Sequence, residues 1–137
     1  MEYTTKFDEI NLICTIHVTG QHKRPKDSII LQKFARDFCE THNCQRFLFD
    51  LTQANTIGGT MDAYDAGTVP VDPEHNLIRT KFALLFNGDL TVHKFMEDVA
   101  VNRGYMVRVF NDYDQAIAWL MPNTQKDIQD GVTKEIS

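Results

Sequence analysis

Apolar and polar residues alternate over residues 3–7 and 12–18, a period-two pattern that predicts two strands joined through Asp8-Glu9 as a hairpin. Residues 19–26 follow as a loop punctuated by Gly20 and Pro25. From Asp27 or Ser28 the period changes: Ile30, Phe34 and Phe38 recur every fourth residue, and Leu31 and Ala35 widen the stripe into a core-facing helix that ends at Thr41-His42-Asn43. Residues 45–51 predict a third strand, the polar residues 52–59 a loop, and residues 60–67 a short helix. Asp72-Pro73 has the form of an N-cap followed by proline at the first helical position.

The second half repeats the alternation. Residues 81–86 predict a strand bounded by Asn87-Gly88-Asp89. Residues 90–103 predict a helix with Val92, Phe95, Met96, Val99 and Ala100 on one face, and Gly104 is placed to close it. Residues 105–110 predict the last strand. Asn111 or Asp112 caps a final helix carrying Tyr113, Ile117 and Leu120, which Pro122 stops.

Strands alternating with helices at this spacing predict an α/β fold, a single βα-wound sheet of about five strands. The sheet is expected to be mostly parallel, with the N-terminal hairpin strand antiparallel. The domain is expected over residues 1–122, with residues 123–137 a polar C-terminal tail. One alternate set of strand residues is almost wholly apolar, from Cys14, Ile16 and Val18 through Phe47 and Phe49 to Val107 and Val109. The opposite set is mixed: Ile13, Thr15, His17; Arg46, Leu48, Asp50; Lys81, Ala83, Leu85; Met106, Arg108. A parallel sheet covered on both faces shows apolar residues on both. Helices are therefore expected mainly on one face, which crossovers of one hand stepping in one direction produce. Ile13, Leu48, Leu85 and Met106 would then make the mixed face an association surface, so a homodimer is one expected outcome.

Composition narrows the function classes. The chain has 137 residues, of which 42% are hydrophobic and 24% charged, enough for a real core without disulfide or metal staples. Fourteen basic against 19 acidic residues give a net charge of −5, which argues against a general nucleic-acid binder. The longest apolar run, residues 116–121, is too short to span a bilayer. Cys14, Cys39 and Cys44 cannot all pair with one another, and the first residues carry no signal-peptide pattern, so reduced thiols in a cytoplasmic protein are expected. Cys39, His42 and Cys44 lie close in sequence but lack a second dense ligand pair, and neither a metal nor a cofactor is expected.

The chemistry that remains is concentrated in residues 50–60, which leave a central strand and enter a helix. Loops after strand ends are where wound α/β folds build sites. Gly58 and Gly59 permit close backbone approach, and Thr60 is expected as the N-cap of the helix or as a phosphoacceptor beside its free N–H groups. Asn55 lies on the same loop. His22, Lys23, Arg24 and Lys26 lie on the neighbouring loop, where they form either a solvated charged stretch or a site for an anion or acidic partner. Lys does not follow Gly-Gly-Thr as a phosphate-binding loop requires, and neither a nucleophile motif nor a carboxylate pair stands out. His17 and Asp50 on the mixed face form either an acid–base pair or a salt-linked strand pair.

The strand, Asp50-Leu51-Thr52, a polar stretch, Ile57 and a small-residue helix start resemble the sulfate-transporter and anti-sigma-factor-antagonist (STAS) fold. Asn102-Arg103-Gly104, Val109-Phe110 and Ala116-Ile117-Ala118-Trp119-Leu120 resemble its SpoIIAA-like branch, and the resemblance covers roughly residues 3–120. In antagonist members a serine in Asp-Ser-Ser-Gly at this helix start is phosphorylated by a kinase. Aligning Ile57 with the apolar residue before that motif puts Gly58, Gly59, Thr60 and Met61 on its four positions, and Thr60 alone keeps a hydroxyl. The resemblance implies a non-enzymatic regulatory module that binds a protein partner. The alternative is a small-molecule or lipid-binding module of Sec14-like character. An enclosed apolar cavity under the helices would favour that alternative, and a solid core would favour the partner.

Overall fold

The computed structural model describes residues 1–68 and 77–121. Strands β1 (Glu2–Asp8), β2 (Ile13–Lys23), β3 (Arg46–Ile57), β4 (Lys81–Leu85) and β5 (Met106–Phe110) form one sheet in sequential order. β1 is antiparallel to β2 and every other pair is parallel, as the alternation of elements predicts. The helices are α1 (Lys26–His42), α2 (Thr60–Thr68), α3 (Thr91–Asn102) and α4 (Tyr113–Leu120). Asp72-Pro73 and the expected tail lie outside the described residues.

Local chemistry accounts for the turns. The Asp8 carboxylate accepts from the Ile10 and Asn11 amides and closes the hairpin. α1 ends on Asn43 in the left-handed conformation, and Gly104 at φ 97° ends α3, where the Tyr105 amide reaches back to the Ala100 carbonyl. Asp112 caps α4 by accepting from the Asp114 amide.

The apolar strand face carries the main core. Phe47 stacks on Phe82 at 5.6 Å and Phe49 on Phe82 at 6.0 Å, and α1, α2 and α3 cover them with Leu31, Ala35, Ala63, Ala66 and Met96. The buried centre of α1 is Leu31 and Ala35. Ile30, expected in the stripe, is exposed, while Phe34 and Phe38 sit on the flank against Tyr3 and Phe7 of β1.

The mixed face departs from expectation. α4 crosses beneath it, and Ala116 and Leu120 complete a second cluster with Ile13, Leu48, Ala83, Leu85 and Phe110. Three of the four expected contact residues are thus covered by the chain itself, and of that set only Met106 is exposed. Lys81 holds the helix at its end, donating to the Trp119 carbonyl at 3.0 Å with its ammonium 5.2 Å from the Trp119 ring centre. The expected association surface is the seat of α4. The apolar residues of that face are there to pack the helix.

The two central strands run further than the alternation suggests. Beyond Thr19 and Gln53, β2 and β3 continue as a two-stranded ribbon to the pair Lys23–Ile57, with the register shifted between His17 and Thr19. From His17–Asp50 to Thr19–Gln53, β3 spends one residue more than β2, which is a bulge at Leu51-Thr52. Residues 19–23 and 52–57, expected as loops, are strand. Among the described residues no helix is long and apolar enough to cross a membrane.

Leu120 is fully buried between α4 and the sheet. Leu120→Ala should therefore lower the unfolding free energy by about 2–5 kcal/mol in a urea titration. Met106→Ala, on the same face outside the helix footprint, should change it by less than about 1 kcal/mol.

Candidate functional site

The ribbon carries the ends of β2 and β3 to one edge of the helical layer, beside the starts of α1, α2 and α3. Asp50 braces its base. One carboxylate oxygen accepts from the Thr52 amide at 3.0 Å and hydroxyl at 2.6 Å, and the other lies 3.1 Å from His17 Nδ1. Asp50 thus fixes the bulge, and His17, on its exposed side, meets it across the two strands.

At the tip the chain passes from Ile57 through Gly58 and Gly59 into α2. Gly58 adopts φ 138°, and a Cβ there would stand 2.9 Å from Asp62 Cβ and 3.3 Å from Arg24 Cβ. Gly59 has no such constraint; a Cβ on it meets nothing. The helix start differs from the expected one. The Gly59 carbonyl accepts from the Ala63 amide, which makes Gly59 the N-cap residue, and the Asp62 carboxylate accepts from the Gly59 amide at 3.0 Å. This is the returning half of a capping box, made by the third helical residue. Thr60 is the first helical residue, exposed, and its hydroxyl takes no part in the cap. Asn55 is exposed on the ribbon.

The basic stretch divides in two. Lys23 and Lys26 are exposed, but His22 is only 3% exposed and Arg24 only 6%. The solvated-loop reading therefore fails for half of the stretch. Strand geometry explains it: Lys23 pairs with Ile57 facing solvent, so its neighbours on either side turn under the helices. The Asp27 carboxylate accepts from the Lys23 amide at 2.8 Å and fixes the entry to α1. His22 lies between two hydroxyls, Ser28 Oγ at 3.3 Å from Nε2 and Thr56 Oγ1 at 3.4 Å from Nδ1.

Arg24 Nη2 lies 2.8 Å from His93 Nδ1, and His93 stacks flat on Phe86 with ring centres 3.6 Å apart. The guanidinium carbon is 5.4 Å from the centre of the same Phe86 ring. Since a guanidinium only donates, His93 accepts and stays neutral. Burial and the neighbouring Arg24 charge push both His22 and His93 down from 6.5 to about 4, and burial alone lowers Arg24 to about 10. Under α1, His22, Arg24, Ser28 and Gln32 share a cavity of about 60 Å³ whose other walls, among them Leu51, Leu84 and Met96, are apolar.

The thiols are placed for structure. Cys44 donates to the Leu12 and Arg46 carbonyls, Cys39 approaches Thr80, and His42 stacks on Phe38. Burial pushes the Cys14 thiol up to about 12. Among the described residues no three His, Cys, Asp or Glu side chains converge as a metal site.

His93 and Phe86 were missed in sequence; both read as ordinary positions at a helix start and a strand end. The Asp62 cap had a signal, an acid three residues after a glycine at a helix start.

Two predictions follow from this geometry. Asp62→Ala should destabilise the protein by about 1 kcal/mol and Thr60→Ala by only a few tenths, measured by chemical denaturation. The second concerns acid. Well above pH 6.5 both histidines are neutral folded or unfolded; as the pH falls through 6.5 towards about 4 the unfolded chain takes up protons that the folded chain refuses. Stability should therefore fall across that window, with His22 contributing a slope approaching about 1.4 kcal/mol per pH unit and half-buried His93 less. His22→Gln should flatten the slope in urea titrations run between those two pH values.

No family model matches the chain, and no curated protein matches it. Among solved structures it is similar to an uncharacterized protein from the DUF3478 family with a SpoIIAA-like fold, from Shewanella loihica PV-4. The identity is 15% and the TM-score 0.48, over 87% of this chain and 92% of that one.

Proposed function

We propose that the chain is a non-enzymatic regulatory module that binds a protein partner through the tip of the β2–β3 ribbon and the outer side of α2. The observation that carries this reading is an exposed apolar strip. Ile57 is 38% exposed at the end of β3, and in α2 Met61 is 70% and Tyr64 46% exposed; these last two, three residues apart, share one side of the helix. Large apolar side chains grouped on an exposed helix side support a contact surface there. Thr60 lies within the strip. Its hydroxyl stands outside the helix cap, so a phosphoryl group there would add charge beside the strip without dismantling the helix start.

The size of the interior supports the same reading against a lipid carrier. Pockets for drug-sized or larger ligands such as lipids run from roughly 300 Å³ upward, whereas the cavity under α1 is about 60 Å³. Two larger hollows among the described residues, about 410 and 360 Å³, are surface clefts lined in part by charged residues such as Arg46 and Lys81 or Lys6 and Asp8.

The test uses immobilised wild-type protein and Met61→Ser/Tyr64→Ser in parallel captures from a cell extract, quantified by mass spectrometry. At least one protein should be retained by wild type and reduced about tenfold or more on the double variant, matching the loss of two interface anchors. Identical retained sets on the two baits would overturn the reading.

A further inference from the structure

Arg24 presents an unresolved charge. Its guanidinium is buried, yet among the described residues it faces no carboxylate: its partners are the neutral His93 and the ring of Phe86. Asp27, the buried acid closest in sequence, is turned to the Lys23 amide. Nε and Nη1 have no acceptor among the described residues. Buried cations are ordinarily paired, because withdrawing a charge from water is expensive unless an opposite charge compensates it. Arg24 is also among the residues that line the cavity under α1, with His22, Ser28 and Gln32.

We infer that Arg24 anchors a binding site for a small organic carboxylate with a short apolar tail. Two features of the cavity select that class. Its volume of about 60 Å³, at about 10–15 Å³ for each water-sized occupant, admits a ligand of about four to six heavy atoms. Its lining is mostly apolar, so a tail finds Leu51, Leu84 and Met96, and Arg24 is the one cation among the lining residues to meet a carboxylate. A singly charged head matches a single cation and accepts from its unpaired N–H groups in the geometry guanidinium favours. A phosphate would bring up to two negative charges and four oxygens to one cation and an apolar wall, leaving most of its own hydration uncompensated. His22 joins the lining as a neutral ring, satisfied by Ser28 and Thr56, and adds no competing charge. This site stands apart from the exposed strip on α2 and does not rest on the partner reading.

The experiment is an NMR titration of the full chain, with labelled Met and Leu methyl groups, against sodium propionate at constant ionic strength and neutral pH. Propionamide, nearly the same shape without the charge, and inorganic phosphate are titrated alongside. Saturable shifts are expected at the methyls of Met96, Leu84 and Leu51 with propionate, and none with the other two. Arg24→Met should weaken the propionate response about tenfold or more. If that variant does not fold, the contrast between propionate and propionamide on the wild-type chain decides alone. Equal responses to propionate and propionamide would show a merely apolar cavity and overturn the inference. So would a saturable response to phosphate in place of propionate, an unchanged response in Arg24→Met, or no saturable shift at all.

Discussion

The parallel pairing of β2 with β3, carried past the rest of the sheet with one extra residue in β3, governs where every other feature of the candidate site falls. A residue added to one strand of a pair would ordinarily be an unpaired liability. Here the Asp50 carboxylate takes the Thr52 amide and hydroxyl and turns the irregularity into a fixed bend. Beyond it the alternation resumes, Lys23 faces water, and His22 and Arg24 turn inward. Displacing the register by one residue would reverse those choices and expose the cation. Gly58 then has to pass close to both Arg24 and Asp62, which only a residue without a Cβ can do.

The electrostatics of the buried tip are consistent with this arrangement. The Arg24 guanidinium meets the His93 ring and the Phe86 face, and the nearby His22 ring lies between two hydroxyls. Each imidazole is held neutral by a stated cause, His93 by the donor it faces and both by burial. Asp27 acts on His22 and Asp89 on His93 in the opposite sense, and burial with the Arg24 charge outweighs both.

The order and type of the main elements were legible because each is written in a simple period: Phe47 and Phe49 alternate as a strand, and Leu31 and Ala35 recur as a helix. The ends of β2 and β3 were not. Residues 19–23 and 52–57 are polar because the ribbon is largely exposed on its sides, and a polar stretch containing Gly20 reads as a loop. The mixed strand face misled for a related reason. Its Leu48 and Leu85 are few among charges, and the short α4 needs only a narrow apolar patch, so the pattern resembled a contact surface more than a helix seat. At the site, Gly58 and the basic stretch stood out, but the burial of Arg24 follows from pairing across residues distant in sequence. Charge beside proline gives no hint of it.

The sequential strand order has a consequence for how the chain comes together. Each of β2 to β5 adds to the edge left by the strand before it, and no later strand has to enter between two already paired. Each pairing joins strands that are neighbours in sequence, which keeps the entropic cost of loop closure low. The sheet can therefore grow from its first hairpin in the direction of synthesis, each new strand finding its template exposed. α4 follows the last strand in sequence and packs beneath β3, β4 and β5, so its seat is complete only when sheet growth has finished.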